Sequence, residues 1–239
     1  MSAEPFKHDG QLDDGKKQQI VALSGRTVLD VGCNTGELVG WLNSVGVYAE
    51  GIDINPEYIR AARTKFRDLK FHVGEDLSIF GDNEFETVVA WDVLEHIPDD
   101  AAAMREFLRI ATRNVVLSVP KEDGISLPHS RVTYRPYVDP THVHYYTRES
   151  MMHLVRKCGD YSTLFEDSYR VRPLLAYRKI GIPLRICVII DRLLWSFARQ
   201  KEPFFANLVV AITKQQESGQ ASPVQKLQDK AKLSCETPS

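Results

Sequence analysis

A chain of 239 residues, 43% hydrophobic and 26% charged, is long enough for one sizeable α/β core with insertions and too short for two full domains. A formal charge of -2 and a pI near 6.4 give no molecule-wide positive field for a nucleic-acid backbone, so only local basic patches remain. The cysteines Cys33, Cys158, Cys187 and Cys235 stand far apart without C-x-x-C spacing, which speaks against a disulfide framework or a thiolate zinc site and for a reducing, cytoplasmic setting.

Residues 1–24 read as an N-terminal helical or irregular segment, and Glu4, Lys7, His8, Asp9, Asp13 and Asp14 deny it the apolar core of a secretory signal. Runs at 27–31, 47–52, 69–73, 86–91 and 114–119 predict strands, and helical patterns at 37–44, 56–67 and 99–111 alternate with them. This alternation builds a parallel sheet from βαβ units. Local chemistry agrees: Asn55 caps a helix whose first residue is Pro56, and Asp99-Asp100 place negative charge at the start of the next. An irregular insertion, 121–147, is followed by a helix at 148–158 ended by Gly159, a strand at 162–166, a hydrophobic insertion at 170–203 and a last strand at 207–213. The remainder, 215–239, is polar, holds too little apolar material to fold, and reads as a disordered tail. Cys235, fifth from the end, makes no prenylation box.

Chemistry concentrates at the first strand and its turn, Val28-Leu29-Asp30-Val31-Gly32-Cys33-Asn34-Thr35-Gly36-Glu37. Gly32 stands where the chain turns sharply, Gly36 opens the next helix, and glycine at both points lets backbone approach a ligand near the unpaired amides of a helix start. The second strand runs into Asp53, a carboxylate able to accept both hydroxyls of a ribose. A dinucleotide fingerprint needs G-x-G-x-x-G, whereas here Asn34 stands between Gly32 and Gly36, which makes a pyrophosphate the poorer fit. Asp30, inside the strand, needs a hydrogen-bonding partner, and either a structural or a binding role would supply it.

These motifs, with Gly51-Ile52-Asp53-Ile54, Gly74-Glu75-Asp76-Leu77 and Val88-Val89-Ala90-Trp91-Asp92-Val93-Leu94-Glu95-His96-Ile97-Pro98, resemble in order the motifs of class I S-adenosylmethionine-dependent methyltransferases. The resemblance covers about 27–120 and implies a Rossmann-like, three-layer doubly wound sheet of seven mostly parallel strands, with a methyltransferase domain at 25–214. It implies S-adenosylmethionine as cofactor. The backbone around Gly32, Cys33, Asn34 and Gly36 would carry its amino-acid end, Asp53 its ribose diol and Asp76 and Leu77 its adenine, with Asp30, Ile54, Trp91 and Asp92 as further candidates to bind it.

Methyl transfer to a hydroxyl calls for a base or a metal. Asp92, Glu95 and His96, and then His142 and His144 in Asp139-Pro140-Thr141-His142-Val143-His144-Tyr145-Tyr146-Thr147, are the candidates. In one reading His142 or His144 is the base, oriented by a carboxylate such as Glu95, with no metal. In the other, Asp92, Glu95, His96 and one of the two later histidines, His144 in the set favoured here, hold a divalent ion, a pattern loosely similar to the RNA 3′-terminal 2′-O-methyltransferases, although that family has glutamate at the position of Asp92. Glu95 and His96 capping their own loop is the structural alternative.

The substrate is written mainly in the insertions. Within 173–203, Leu174, Ile180, Ile186, Ile189, Leu193 and Trp195 are interleaved with Arg178, Lys179, Arg185, Arg192 and Arg199, too interrupted for a membrane span but suited to a lid, a homodimer face or a helix lying in a membrane interface. Arg131, Arg135, Arg170 and Arg172 are candidates to meet phosphate or carboxylate on an acceptor. The expectation is O-methylation of a glycan, a lipid-linked sugar or another small molecule, with peripheral membrane contact, no nucleic-acid partner and a homodimer in view. A divalent-metal RNA methyltransferase, or a non-catalytic partner that keeps the cofactor fold for assembly, are the alternatives.

Overall fold

The computed structural model describes residues 14–121, 141–170 and 205–214 and positions 183, 186, 189 and 193. The chain runs α1 (Asp14–Leu23), β1 (Thr27–Val31), α2 (Glu37–Ser44), β2 (Tyr48–Asp53), α3 (Pro56–Lys65), β3 (Phe71–Val73), β4 (Phe85–Trp91), α4 (Asp100–Ile110), β5 (Ala111–Pro120), α5 (Arg148–Cys158), β6 (Ser162–Arg170) and β7 (Phe205–Thr213). Every strand and helix expected from the sequence pattern is present, with ends shifted by a few residues where β-propensity and hydrogen bonding compete. The expected tail at 215–239, most of the insertion at 121–147, including Arg131 and Arg135, and Arg172 lie outside the described residues. So does the hydrophobic insertion, apart from Arg170 at the end of β6 and positions 183, 186, 189 and 193.

The seven strands form one sheet in the order β3-β2-β1-β4-β5-β7-β6. The five strands from β3 to β5 are parallel, and β7 runs antiparallel to both β5 and β6. β7 follows β6 antiparallel because a neighbouring antiparallel strand needs no crossover back to the same end.

Period-2 alternation distributes each strand between two cores. Leu29 and Val31 join Met104, Phe107 and Ile110 of α4 and Met151 and Val155 of α5. Val28 joins Ile20 of α1, Val39 and Leu42 of α2 and Ile59 of α3. Helices therefore cover both faces, which is why the central strands read as unbroken apolar runs rather than as alternation. The caps are made by residues the pattern marks: the Asn55 side chain accepts from the Glu57 amide, Asp99 from the Ala102 amide, and Thr147 and Ser150 form a reciprocal capping box on α5.

Gly36 shows how tightly α2 is seated. Its φ is +78°, and a Cβ there would stand 2.6 Å from the Phe71 ring. Gly46 has a similar φ of +86° but open space around it. Gly36→Ala is expected to destabilise by about 2 kcal/mol more than Gly46→Ala, because both incur the left-handed penalty of about 1–2 kcal/mol and only the first also displaces an aromatic ring. Urea denaturation midpoints of the two variants measure the difference, and equal midpoints would show that Phe71 yields freely.

Candidate functional site

Strand order reverses between β1 and β4, and in an open α/β sheet the crevice beyond the carboxyl ends at such a switch receives the ligand. The segments following β1, β2, β3 and β4 carry the residues that the sequence marked for cofactor, and all leave the sheet at this one edge. Here Asp53 is the organising group. One carboxylate oxygen accepts the Asn34 amide and the other the Asn55 amide, each at 2.8 Å, so the turns after β1 and β2 are tied through a single side chain. The amides of Gly32 and Cys33 donate to the Ile52 carbonyl at 2.8 and 3.0 Å, holding the turn against β2. Asn34 itself takes the left-handed conformation at φ 48°, as a short polar side chain tolerates.

Gly32 and Gly36 also serve a purpose beyond the one expected of them. A Cβ on Gly32 would stand 2.4 Å from a Val93 methyl group, as one on Gly36 would meet the Phe71 ring, so both glycines make room for protein side chains as well as meeting positive φ. Gly51 makes the same allowance for Cys33, whose Sγ would stand 2.6 Å from an added Cβ. Cys33 is buried, and burial together with Asp30 and Asp53 pushes its thiol up, so it is a packing group rather than a nucleophile.

The residues around Asp53 are compatible with the expected cofactor. A carboxylate offers about four lone-pair directions, and the two amides use two of them, which leaves capacity for a diol. Next to it Ile54 is 65% exposed, an apolar side chain at the rim of the crevice where a flat, partly apolar ring would cover it. Leu77 is half-buried against the core, and its carbonyl accepts from the Arg109 guanidinium at 3.1 Å. Arg109 also bonds the Phe80 carbonyl and Asp82, so this helical arginine, unmarked by any sequence signal, shapes the loop that carries Leu77. Asp76 caps the short 3-10 turn at Leu77–Ile79, and the Ser78 hydroxyl and amide hold its carboxyl below the usual carboxylate range.

Asp30 lies on the face of β1 that packs against α2 and α3, and it is 4% exposed. Burial, with the nearby Asp53 charge, pushes its carboxyl up to about 8. It is therefore protonated at neutral pH and able to donate, not the acceptor that a carboxylate in a strand first suggests.

At the end of β4, Asp92 has φ 55°, an uncommon conformation for a non-glycine residue. Its Oδ1 accepts the Ser118 hydroxyl and the Asn207 side-chain amide, both at 2.7 Å, while its own amide donates to the Ser118 carbonyl at 2.9 Å. Asp92 thereby knots the ends of β4, β5 and β7 together. Ser118 and Asn207 escaped the sequence reading because each looks like an ordinary strand-edge polar residue. Trp91, the last residue of β4, is half-buried beside this knot.

Glu95, completely buried, sits in the 3-10 turn Leu94–His96. Its carbonyl accepts the amides of Val143 and His144 at 2.9 and 3.2 Å, and this clamp lays the segment 141–144 across the turn. His96 Nδ1 meets the Thr141 hydroxyl at 3.0 Å and the Thr141 carbonyl at 3.2 Å. The His96 and His142 rings then stand edge to face, 4.7 Å between centroids. One ligand-type atom from each of Glu95, His96 and His142 falls within 4.8 Å of the others. His144 goes elsewhere: its Nε2 pairs with the Pro98 carbonyl at 3.1 Å and its Nδ1 lies 4.0 Å from Asp100. The four residues of the sequence-based metal set thus do not converge, since Asp92 is engaged with Ser118 and Asn207 and His144 with Pro98 and Asp100.

Tyr146, buried in the larger core, donates to Asp100 at 3.1 Å, and burial with Asp100 and Glu95 pushes its phenol up. Thr147 is spent on the α5 cap. His142 is brought to the Glu95 turn beside His96.

With this geometry in place, comparison with known proteins is informative. The family described as methyltransferase domain matches residues 10–159, more than half of the chain, and the chain belongs to that family. It is an S-adenosylmethionine-dependent methyltransferase. A ubiquinone biosynthesis O-methyltransferase of Xanthomonas campestris pv. campestris is 28% identical over 180 residues, 66% of this chain and 74% of that protein. Another of the same name, from Thiobacillus denitrificans, is 33% identical over 94 residues, 37% of this chain, and the match spans only 40% of that relative's length. Among solved structures, an S-adenosylmethionine-dependent methyltransferase from Archaeoglobus fulgidus superposes with a TM-score of 0.59 at 17% identity, covering 83% of this chain and 90% of that one. Magnesium protoporphyrin IX methyltransferase from Synechocystis, with bound cofactor, gives 0.51 at 18% identity, covering 87% and 86%. These two bear out the Rossmann-like methyltransferase fold.

The raised carboxyl of Asp30 has a measurable consequence. The unfolded chain loses this proton near pH 4 and the folded chain near 8, so between those values the folded state holds the extra proton and stability falls as pH rises, by about 1.4 kcal/mol per pH unit from this group alone. Asp30→Asn removes the titration. Melting temperatures from pH 5 to pH 8 are expected to fall more steeply for the wild type than for the variant, and parallel curves would place the Asp30 proton elsewhere.

Proposed function

We propose that this enzyme methylates a hydroxyl group of a small-molecule acceptor, with the backbone at Gly32–Gly36 receiving the amino-acid end of the cofactor, Asp53 its ribose diol, and Ile54 and Leu77 flanking its adenine. S-adenosylmethionine supplies a methyl group on a cationic sulfur. The residues of this chain align the acceptor oxygen with the sulfur–carbon bond and take the hydroxyl proton. The single observation that carries the reading is the position of His142, held by the backbone clamp on Glu95 beside a buried carboxylate and at the edge of the sheet where the cofactor residues meet. Relatives named for O-methylation support oxygen as the acceptor atom.

A neutral His142 accepts the proton as the oxygen attacks, and the Glu95 carboxylate stabilises the resulting imidazolium. A positioned base contributes about 10²–10⁴-fold, the rest coming from alignment. His144, spent on Pro98 and Asp100, is assigned to holding the segment in register. His142→Ala is expected to lower kcat by about 10²–10⁴-fold while cofactor affinity is kept, the signature of a chemical role. Asp53→Ala is expected to weaken cofactor binding at least about tenfold, the equivalent of one hydrogen bond to a charged group. Calorimetric titration and steady-state kinetics of both variants test this. A His142→Ala enzyme with wild-type kcat would remove the base from this position.

We also infer that the acceptor is met at a membrane surface, with a glycan carried on lipid or another apolar-tailed molecule as its class. Ile186, Ile189 and Leu193, spaced to share one helical face, are 48%, 57% and 53% exposed. Around them in sequence, from 170 to 199, seven Arg and Lys stand against the lone Asp191, complementary to an anionic headgroup layer. Arg185, Asp191 and Arg192 interrupt every apolar window of the insertion that could span a bilayer, which supports peripheral contact. The protein is expected to float with vesicles containing phosphatidylglycerol and to lose them in Ile189→Glu and Leu193→Glu. Flotation that is absent, or replaced by self-association in sedimentation, assigns the face to a second copy of the chain instead.

A further inference from the structure

We propose that Glu95, His96 and His142 form a binding site for one divalent transition-metal ion of borderline softness, such as Zn²⁺, Mn²⁺ or Fe²⁺. The site is narrower than the set that sequence suggested: Asp92 drops out, His142 rather than His144 is the later histidine, and the donors become two imidazoles and one carboxylate. That composition selects against Mg²⁺ and Ca²⁺, which want oxygen ligands, and matches the three-ligand sets that leave coordination positions open.

Three features of the geometry support an ion here. The ligand-type atoms already lie within 4.8 Å of one another, and bonds of about 2.1 Å require separations of about 3–3.4 Å, a contraction of up to roughly 1.5 Å that side-chain torsions supply. Thr141 holds His96 Nδ1 through both its carbonyl and its hydroxyl, which turns Nε2 to the free role and fixes the ring, the usual arrangement behind a metal-bound histidine. Glu95 is 0% exposed, and a carboxylate buried beside two imidazoles gains most from a dication. Asp92, Asp100 and His144 stay outside the set, each engaged as described above.

The inference rests on the proposed function only for its purpose. With an ion in place the acceptor hydroxyl takes an open coordination position, its pKa falls, its proton passes to solvent, and its oxygen attacks as an alkoxide or phenolate. His142 is the base in the ion-free protein; with the ion bound it serves as a ligand, and the lowered pKa of the acceptor takes over the task of the base. The ion neither gains nor loses electrons in this step.

Ion binding is measured without any acceptor. Untagged protein stripped with chelator is titrated with Zn²⁺ and, by electron paramagnetic resonance, with Mn²⁺. Wild type is expected to take up one equivalent of Zn²⁺ with Kd below about 10 µM. Glu95→Gln and His142→Ala are expected to weaken it at least tenfold, and His153→Ala, on the exposed side of α5, to leave it unchanged. S-adenosylmethionine affinity, read in parallel, shows that each variant is folded, and Thr141→Val, which removes the hydroxyl contact on His96 Nδ1 but keeps the carbonyl one and touches no ligand, is expected to cause an intermediate loss. Failure of wild type to bind, or binding that survives in both ligand variants, overturns the site while leaving cofactor binding and the base reading intact. Loss of cofactor binding in wild type would instead overturn the proposed function.

Discussion

β1 is hydrogen-bonded on both sides, to β2 and to β4, and helices cover both faces of the sheet around it. A strand so enclosed can present groups to a ligand only where it ends. The neighbouring parallel strands obey the same restriction, and because they all run one way their ends meet at one edge. From this follows the placement of Asp53, Leu77, Asp92 and Glu95, residues far apart in sequence, along a single crevice. Parallel pairing is thus what converts a string of separate motifs into a site.

The edge is then held together by polar groups that have left water. Asp53 ties two turns by accepting one amide on each oxygen, and Asp92 ties three strand ends through Ser118 and Asn207. Hydrogen bonds to carboxylates are stronger than neutral ones, and in a largely dry setting they lock geometry that apolar contacts alone leave loose. Asp30 shows the opposite solution. Too close to Asp53 and too buried to be charged as well, it keeps its proton. Two carboxyl groups in neighbouring strands therefore do different work, Asp53 accepting two backbone amides and Asp30 keeping its proton.

The segment 141–147 divides its labour in the same way. Tyr146, Thr147 and His144 fasten the chain to Asp100, to α5 and to Pro98, while the amides of Val143 and His144 grip the Glu95 carbonyl. These attachments aim His142 at Glu95 and His96. A segment without regular secondary structure gains the rigidity that catalysis or ion binding requires from being bonded on every side.

The sequence by itself determined the fold class, the order of the elements and the turns at which the parallel strands end, because strand and helix periodicity and turn chemistry are local properties of the chain. It also marked Glu95, His96 and His142. Which histidine joined which carboxylate was decided only in three dimensions, since His142 and His144 are near twins in sequence and differ by which neighbour the Glu95 clamp sets beside each. Only packing revealed that Gly32 and Gly36 make room for Val93 and Phe71, that Asp30 is neutral, and that Ser118, Asn207 and Arg109 shape the site. Each of these depends on the approach of segments distant in the chain and on the exclusion of water between them, and neither is encoded in any local pattern of residues.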